Sequence, residues 1–137
     1  MPKILIAEDE KDLREFLQDE FNDVGFNVTA VANGADAVIA TVEERFDIAL
    51  LDMLMPGMDG LQAIRVLRKV APGMPILGLT GHVGRGYMAQ AAALGVTCLS
   101  KPVVIADLIK EVKELLAQNG SGQSVGRSTA GNRPVRW

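Results

Sequence analysis

Residues 46–60 read Phe-Asp-Ile-Ala-Leu-Leu-Asp-Met-Leu-Met-Pro-Gly-Met-Asp-Gly, and this stretch decides how the rest of the chain is interpreted. Its apolar run at 48–51 predicts a short strand that is buried on both faces. Asp52 follows at the end of that strand, and open α/β sheets bind their ligands at the carboxyl ends of their strands. An aspartate that merely ends a strand is the simpler interpretation, so the other strand ends must decide between the two.

Short apolar runs and helical patterns alternate along the whole chain. The apolar runs cover residues 3–7, 26–31, 48–51, 75–79 and 96–99. Each run is followed by a segment with apolar side chains at helical spacing. Five strands, each followed by a helix, predict an α/β fold, namely a (βα)₅ doubly wound parallel five-stranded sheet with helices on both faces.

The size and composition fit one globular domain followed by a tail. The chain has 137 residues, of which 48% are hydrophobic and 23% are charged. Residues 1–118 carry an excess of acid, and eight acidic residues lie within the first 25. Residues 119–137 are rich in Gly and Ser and carry three arginines and no acid. We expect a domain at 1–118 and a flexible Gly/Ser-rich tail at 119–137 that forms no domain.

The same features exclude several classes of partner and compartment. Because an acidic surface repels a phosphate backbone, we expect no nucleic-acid partner. No run approaches the roughly 20 apolar residues of a membrane span, and the first residues lack the apolar length of a signal peptide. Cys98 is the only cysteine, so it forms no internal disulfide and fits a reducing cytosol. We therefore predict a soluble, cytoplasmic protein without a membrane partner.

Chemically active side chains follow four of the five predicted strands. Glu8 and Asp9 follow the first strand, Asp52 the third, Thr80 the fourth and Lys101 the fifth. In a parallel sheet these side chains lie at one edge, where three carboxylates repel each other unless a cation is bound. Mg²⁺ suits such a site, because it binds one or two carboxylates together with water and phosphate oxygens. With the Lys101 ammonium and the Thr80 hydroxyl, this edge would stabilise a phosphoryl group on Asp52.

Each of these residues also has an ordinary interpretation. Glu8 and Asp9 could cap the first helix, Thr80 could simply end a strand, and Lys101 could be a solvated loop lysine. These interpretations do not explain why the residues occur together at the ends of four separate strands.

Over about residues 2–118, the chain resembles the receiver domains of two-component response regulators, in particular the single-domain chemotaxis-type receivers. The motifs that carry the resemblance are Glu8-Asp9 after Ile-Leu-Ile-Ala, Asp52-Met-Leu-Met-Pro-Gly-Met-Asp-Gly, Leu-Thr80-Gly81 and Ser-Lys101-Pro102. The Asp-x-x-Met-Pro-x-Met-Asp-Gly segment is very specific to that family. The resemblance implies a flavodoxin-like fold with strand order 2-1-3-4-5.

The resemblance also implies the ligands of the metal. Asp9, Asp52 and the backbone carbonyl of Leu54 would bind Mg²⁺ or Mn²⁺, and Glu8 would hold a metal-bound water.

By the same resemblance, the protein would be a phospho-accepting switch instead of a classical enzyme. Asp52 would be the phosphoacceptor, Lys101 would pair with the acyl phosphate, and Thr80 would signal phosphorylation. The phosphoryl group would come from a histidine kinase or a histidine phosphotransfer protein, and water would later hydrolyse it. A downstream protein target would bind the face formed by helix 4, strand 5 and helix 5.

The sequence departs from the family pattern where phosphorylation is sensed. The family usually has Tyr or Phe three residues before the lysine, and here that residue is Cys98, which is too small to fill the space of a ring. Three glycines at 81–86 weaken the start of helix 4, so we expect ordering of residues 81–88 to report phosphorylation. Gly81 leaves the pocket open to a phosphodonor. His82 is the only histidine. It is either an ordinary exposed loop residue or a residue that influences dephosphorylation.

Other interpretations stay open at the level of sequence. A phosphatase of the haloacid dehalogenase type would need a second aspartate where this chain has Leu54. A flavodoxin-like FMN protein would need a Gly-rich, hydroxyl-rich loop after the first strand, whereas residues 7–10 are Ala-Glu-Asp-Glu.

The context of the domain is a further open point. The chain is either a stand-alone receiver, which Met1 and the short tail favour, or a receiver from a hybrid kinase or multidomain regulator. A receiver with an intact pocket and a non-standard or constitutive readout is a third possibility. We expect a monomer or a weak dimer.

Overall fold

The computed structural model describes residues 1–55, 57, 60–81 and 85–120, along which strands and helices alternate. The elements are β1 (Lys3–Ala7), α1 (Lys11–Asp23), β2 (Asn27–Val31), α2 (Gly34–Glu43), β3 (Ile48–Asp52), α3 (Gly60–Val70), β4 (Ile76–Thr80), α4 (Arg85–Ala93), β5 (Thr97–Ser100) and α5 (Ile105–Gly120). All neighbouring strands are parallel, in the order β2-β1-β3-β4-β5. The predicted (βα)₅ sheet and its flavodoxin-like strand order are therefore confirmed.

The burial of each strand follows from its place in the sheet. β3 and β4 lie inside the sheet and are buried along their whole length. This agrees with their lack of in–out alternation, which is typical of strands covered on both faces. β2 lies at the edge and has no fully buried residue. Asp52 is thus held at the end of one of the most enclosed strands.

Two hydrophobic clusters attach the helices to opposite faces of the sheet. One cluster joins α2, α3 and α4 to the sheet and includes Leu51, Ile64 and Leu67. The other joins α1 and α5 to the sheet and includes Phe21 and Val112. Truncating a buried aliphatic side chain of this kind typically costs about 2–5 kcal/mol. The strand ends are therefore carried by a rigid scaffold.

Some boundaries differ from the predicted ones. Phe26 precedes β2 instead of opening it, because its amide donates to the Phe21 carbonyl of α1 at 3.0 Å. Its ring also packs edge-to-face on Phe21, with centroids 5.2 Å apart. α4 begins at Arg85, earlier than the Met88 that the apolar pattern indicates. The alanine-rich composition of this helix makes its first turn hard to locate from periodicity.

The start of α2 is capped, and the end of α5 bears on the expected tail. The Asn33 side chain caps α2 by accepting a hydrogen bond of 2.7 Å from the Asp36 amide. α5 continues to Gly120, and the remainder of the expected tail, residues 121–137, lies outside the described residues. The division into a domain and a flexible tail stays a prediction. Within the described part of the chain, no helix has the length and apolar character needed to cross a membrane.

Candidate functional site

Backbone hydrogen bonds between neighbouring chain segments continue just past the ends of the strands. They fix the position of the residues that follow each strand. The Glu8 amide donates to the Val31 carbonyl at 3.0 Å, and the Met53 amide donates to the Leu79 carbonyl at 2.8 Å. The Lys101 amide donates to the Thr80 carbonyl at 2.7 Å. The predicted site residues on different strands are thus brought to one edge by the sheet itself.

Three carboxylates meet at this edge. Glu8, Asp9 and Asp52 each offer an oxygen, and these oxygens lie within 4.8 Å of one another. Glu8 is 1% exposed and Asp52 5% exposed, whereas Asp9 lies open to solvent. Buried carboxylates at this separation repel each other strongly, because little water lies between them to screen the charges.

Lys101 partly neutralises the cluster. Its Nζ lies 3.4 Å from Glu8 Oε1 and 3.4 Å from Asp52 Oδ2, so one ammonium bridges both buried carboxylates. Partial burial acts to lower the pKa of Lys101, but the charges of Asp52 and Glu8 outweigh it and the net pKa is raised. Lys101 is therefore positively charged at neutral pH.

The Glu8 carboxyl is the most strongly perturbed acid of the cluster. Burial is the main cause of its raised pKa, which goes from 4.5 to about 7. The Asp52 charge raises this pKa further, while the Glu10 amide, which donates to Oε2 at 3.1 Å, and Lys101 lower it. One ammonium does not fully compensate two buried carboxylates, and the site still favours additional positive charge.

Asp52 is oriented by its own loop. The Leu54 amide donates to Asp52 Oδ1 at 3.1 Å, while Oδ2 faces Lys101. The two oxygens thus have different partners. The Leu54 side chain is half exposed beside the carboxylate. A role of the Leu54 carbonyl in metal binding stays a prediction.

Arg14 of α1 is a site residue that sequence reasoning missed. Its Nη1 donates to the backbone carbonyls of Glu8 at 2.9 Å and Asp9 at 3.3 Å. Arg14 therefore holds the segment that carries both acids. The cap residue of α1 is Glu10 and not Glu8 or Asp9, so the simple capping interpretation of the acid pair does not hold. An arginine one turn into the helix after an acid pair is the only signal that the sequence offers.

Gly60 is a second residue whose importance the sequence did not reveal. A Cβ on Gly60 would lie 2.6 Å from Met53 Cα and 2.8 Å from Met53 O. The Gly60 amide also donates to that Met53 oxygen at 2.9 Å. The start of α3 thus lies directly against the backbone that follows Asp52, and only glycine allows this approach.

Cys98, which stands where the family usually has an aromatic ring, lies close to Gly78. Cys98 is buried on β5 beside Gly78 of β4. A Cβ on Gly78 would lie 2.8 Å from Met53 Sδ and 3.1 Å from Cys98 Sγ, so both sulfur atoms crowd over this glycine. Burial also raises the pKa of the Cys98 thiol, which keeps it protonated at neutral pH. Met53 follows Asp52 in the chain, and its side chain thus lies on the same face of the sheet as Cys98.

The remaining predicted switch residues are placed as follows. Thr80 is buried at the end of β4, and Gly81 is exposed after it. A Cβ on Gly81 would lie 3.7 Å from Lys101 Cδ, so Gly81 borders the lysine. His82 lies outside the described residues.

The donor set fits a hard divalent cation. All three acidic side chains offer oxygen, the ligand type that Mg²⁺ and Mn²⁺ prefer, and the exposed Asp9 leaves one side of the cluster open to water. No soft ligand belongs to the cluster. A bound cation would also offset the buried negative charge of Glu8 and Asp52, and it would thus act against the burial and repulsion that raise the pKa of Glu8.

Comparisons with known proteins identify the family to which the chain belongs. The family model described as "Response regulator receiver domain" matches residues 4–113. The response regulator receiver protein CpdR of Brucella abortus is 35% identical over 117 residues, covering 85% of this chain and 98% of CpdR. The uncharacterized transcriptional regulatory protein YkoG of Bacillus subtilis is 33% identical over 86% of this chain, which spans only 52% of YkoG. A CheY-like receiver domain of Methanospirillum hungatei shares the fold, with a TM-score of 0.87 at 24% identity over 89% of this chain and 98% of that one.

Proposed function

This chain belongs to the response-regulator receiver family, and we propose that it is a signalling switch phosphorylated on Asp52. The phosphoryl group comes from the phosphohistidine of a histidine kinase or of a histidine phosphotransfer protein. The observation that carries this proposal is the Lys101 ammonium, placed 3.4 Å from Asp52 Oδ2 and 3.4 Å from Glu8 Oε1. A buried carboxylate with an adjacent cation is what an acyl phosphate at this position requires.

The chemistry is an in-line transfer. An ionised oxygen of Asp52 attacks phosphorus, a phosphorus–oxygen bond forms, and the bond from phosphorus to the histidine nitrogen breaks. Lys101 pairs with the negative charge of the transferred group, and the Thr80 hydroxyl donates to one of its oxygens. Hydrolysis later returns Asp52 to its free carboxylate.

Asp9, Asp52 and the Leu54 carbonyl are the proposed ligands of Mg²⁺ or Mn²⁺, with Glu8 acting through water. When bound, the cation supplies positive charge that offsets the negative charge of the phosphoryl oxygens. The chain's own residues supply the rest, because the hydrogen bond from the Leu54 amide orients the Asp52 carboxylate and Arg14 holds the Glu8–Asp9 backbone.

The protein is proposed to be a cytoplasmic switch and not a classical enzyme, since it modifies only itself. Its output partner is a protein that binds the face of α4, β5 and α5, and no nucleic acid takes part. CpdR, which this chain covers almost completely, supports a single-domain context. We propose a monomer or a weak dimer. YkoG shows that similar domains also occur in proteins twice as long.

The readout is proposed to pass through the segment after Thr80. Residue 98 is a cysteine where the family uses a ring, so an aromatic flip at this position is not available. Ordering of residues 81–88 takes its place. Amide exchange across these residues should slow when a phosphate mimic binds, and unchanged exchange would contradict this part of the proposal.

Transfer from a phosphorylated histidine phosphotransfer domain tests the proposal. The labelled domain should lose its phosphate to this chain in the presence of Mg²⁺, and Asp52→Asn should receive none. Asp47→Asn is the matched control, because Asp47 lies before β3 and thus at the opposite edge of the sheet. Equal labelling of Asp52→Asn and the unchanged chain would refute the proposal.

A further inference from the structure

The guanidinium of Arg68, near the end of α3, donates to three backbone carbonyls. Its Nη1 donates to the Met74 carbonyl at 2.6 Å, its Nε to the Leu94 carbonyl at 3.1 Å and its Nη2 to the Gly95 carbonyl at 3.4 Å. Among the residues that the structure describes, no carboxylate forms an ion pair with Arg68. Arg68 therefore holds backbone segments together instead of neutralising an acid.

These carbonyls belong to segments that lie apart in the chain. Met74 comes shortly before β4, whereas Leu94, which is 26 residues from Arg68, follows the last residue of α4. Arg68 thus joins α3, the start of β4 and the end of α4 at the amino edge of the sheet. This edge is about 16 Å from the carboxylate cluster, which is the length of the five-residue strand β4.

The carboxyl end of α4 is closed by a Schellman motif. The Val96 amide donates to the Ala91 carbonyl at 3.1 Å. The Gly95 amide donates to the Ala92 carbonyl at 2.9 Å, and Gly95 has the positive φ, 78°, that this motif favours. The two carbonyls of this end that Arg68 binds take no part in the motif. Because the last turn of α4 has no basic residue, Arg68 supplies from α3 the positive charge that a helix carboxyl end favours.

We propose that Arg68 is a positioning residue of the readout, which fixes the carboxyl end of α4 so that phosphorylation changes only the amino end of this helix. The inference rests on the proposed function, in which Asp52 is phosphorylated and residues 81–88 report it. The sequence has three glycines within residues 81–86, and glycine is among the weakest helix formers. The two ends of α4 therefore differ in how firmly they are expected to be held.

The chemistry of arginine suits this role better than that of lysine. The three hydrogen bonds use three different nitrogens of the Arg68 guanidinium. The side chain is partly buried, and burial lowers its pKa. A lysine at the same position has a single nitrogen, so we expect it to bind fewer of the three carbonyls.

Amide exchange at the end of α4 tests the anchor without any phosphoryl transfer. In Arg68→Gln, the amides of Leu94, Gly95 and Val96 should exchange about tenfold faster than in the unchanged chain, because this end opens more easily. Arg68→Lys should give intermediate rates. Lys69→Gln is the matched control, since it removes the same charge from an exposed position in the same turn of α3, and it should leave these rates unchanged.

Equal exchange at residues 94–96 in Arg68→Gln and Lys69→Gln would overturn the proposal. Full rescue by Arg68→Lys would also overturn it, because one charge would then suffice without the three-way contact. The amides of β1 report global unfolding. An acceleration in β1 as large as that at 94–96 would show a general loss of stability and would contradict a local role at α4.

A second readout tests the role in signalling. Beryllium fluoride with Mg²⁺, as a mimic of the phosphoryl group, should slow exchange across residues 81–88 of the unchanged chain and leave residues 94–96 unaffected. In Arg68→Gln the mimic should alter exchange at 94–96 as well, since that end is no longer held. An equal response of both ends in the unchanged chain would overturn the proposal.

Phosphorylation itself should not depend on Arg68, which lies at the opposite edge of the sheet from Asp52. Acetyl phosphate should label the unchanged chain, Arg68→Gln and Lys69→Gln at equal rates, and slower labelling of Arg68→Gln alone would contradict a role confined to α4. If no chain is labelled and the mimic has no effect, the proposed function fails and the readout role fails with it. The exchange rates at 94–96 without the mimic would still decide whether Arg68 fixes the end of the helix.

Discussion

At the scale of single residues, Glu8 determines how many protons the acidic cluster binds, and Arg14 determines where its acid pair lies. Glu8 is almost fully buried and has a raised pKa, while Lys101 provides only one positive charge for two buried carboxylates. Arg14 binds backbone oxygens and not carboxylates, so it positions the acid pair without neutralising it directly. The site is therefore preorganised for a cation that it does not itself supply.

Acidification should stabilise the metal-free protein through Glu8. The pKa of Glu8 is about 7 in the folded chain and 4.5 as the ordinary value. The folded state thus binds this proton more tightly, so the stabilisation is complete below 4.5 and is lost as the pH rises through about 7. The melting temperature in a chelator should fall by a few degrees between about pH 5 and about pH 8. Glu8→Gln should lack the part of this decrease in melting temperature that Glu8 causes. Identical melting profiles of Glu8→Gln and the unchanged chain across this pH range would contradict the assignment of the raised pKa to Glu8.

Arg14→Gln should weaken Mg²⁺ binding by about tenfold, the lower range for loss of a residue that orients metal ligands. The reason is that Glu8 and Asp9 lose the guanidinium that holds their backbone. Calorimetric titration with Mg²⁺ measures the effect, and Arg65→Gln on the exposed surface of α3 is the control. An unchanged affinity in Arg14→Gln would show that the loop holds its position without the arginine.

At the scale of elements, the junction between β3 and α3 fixes the loop after Asp52. α3 begins at Gly60, which lies directly against the Met53 backbone. The same methionine extends over Gly78 towards Cys98, so one side chain connects the loop to β4 and β5. Two glycines thus allow a close packing of three elements around Asp52.

Gly60→Ala should destabilise the protein by about 1–3 kcal/mol, because the added carbon meets backbone atoms that cannot move aside easily. Gly73→Ala is the matched control, since a Cβ there meets nothing within 4 Å, and it should change stability by less than about 0.5 kcal/mol. Urea unfolding measures both. A Gly60→Ala variant as stable as Gly73→Ala would mean that α3 shifts freely relative to β3.

At the scale of the whole molecule, the sequence predicted the fold and most of the site for one shared reason. In a parallel sheet the carboxyl ends of all strands meet, so Asp52, Thr80 and Lys101 could be placed together from strand ends alone. Arg14, Gly60 and Gly78 could not be found in this way. Their importance depends on distances between elements, such as the approach of Gly60 to Met53, that no periodicity encodes.

The same limit explains the misplaced start of α4 and the uncertainty about position 98. Alanine-rich helices carry too little apolar contrast to locate a first turn, and a small residue such as Cys98 does not reveal what occupies the space beside it. The structure places the Met53 and Cys98 sulfur atoms close to Gly78, whereas the sequence presented Met53 only as part of a motif.

The central claim is that Asp52 accepts phosphate with help from a cation and Lys101. Mass spectrometry after incubation with acetyl phosphate and Mg²⁺ tests it most directly, with peptide mapping of the modified residue. We predict one phosphoryl group on Asp52, which does not form when Mg²⁺ is chelated before acetyl phosphate is added and is absent from Asp52→Asn. A phosphoryl group on another residue, or equal uptake by Asp52→Asn, would contradict the account.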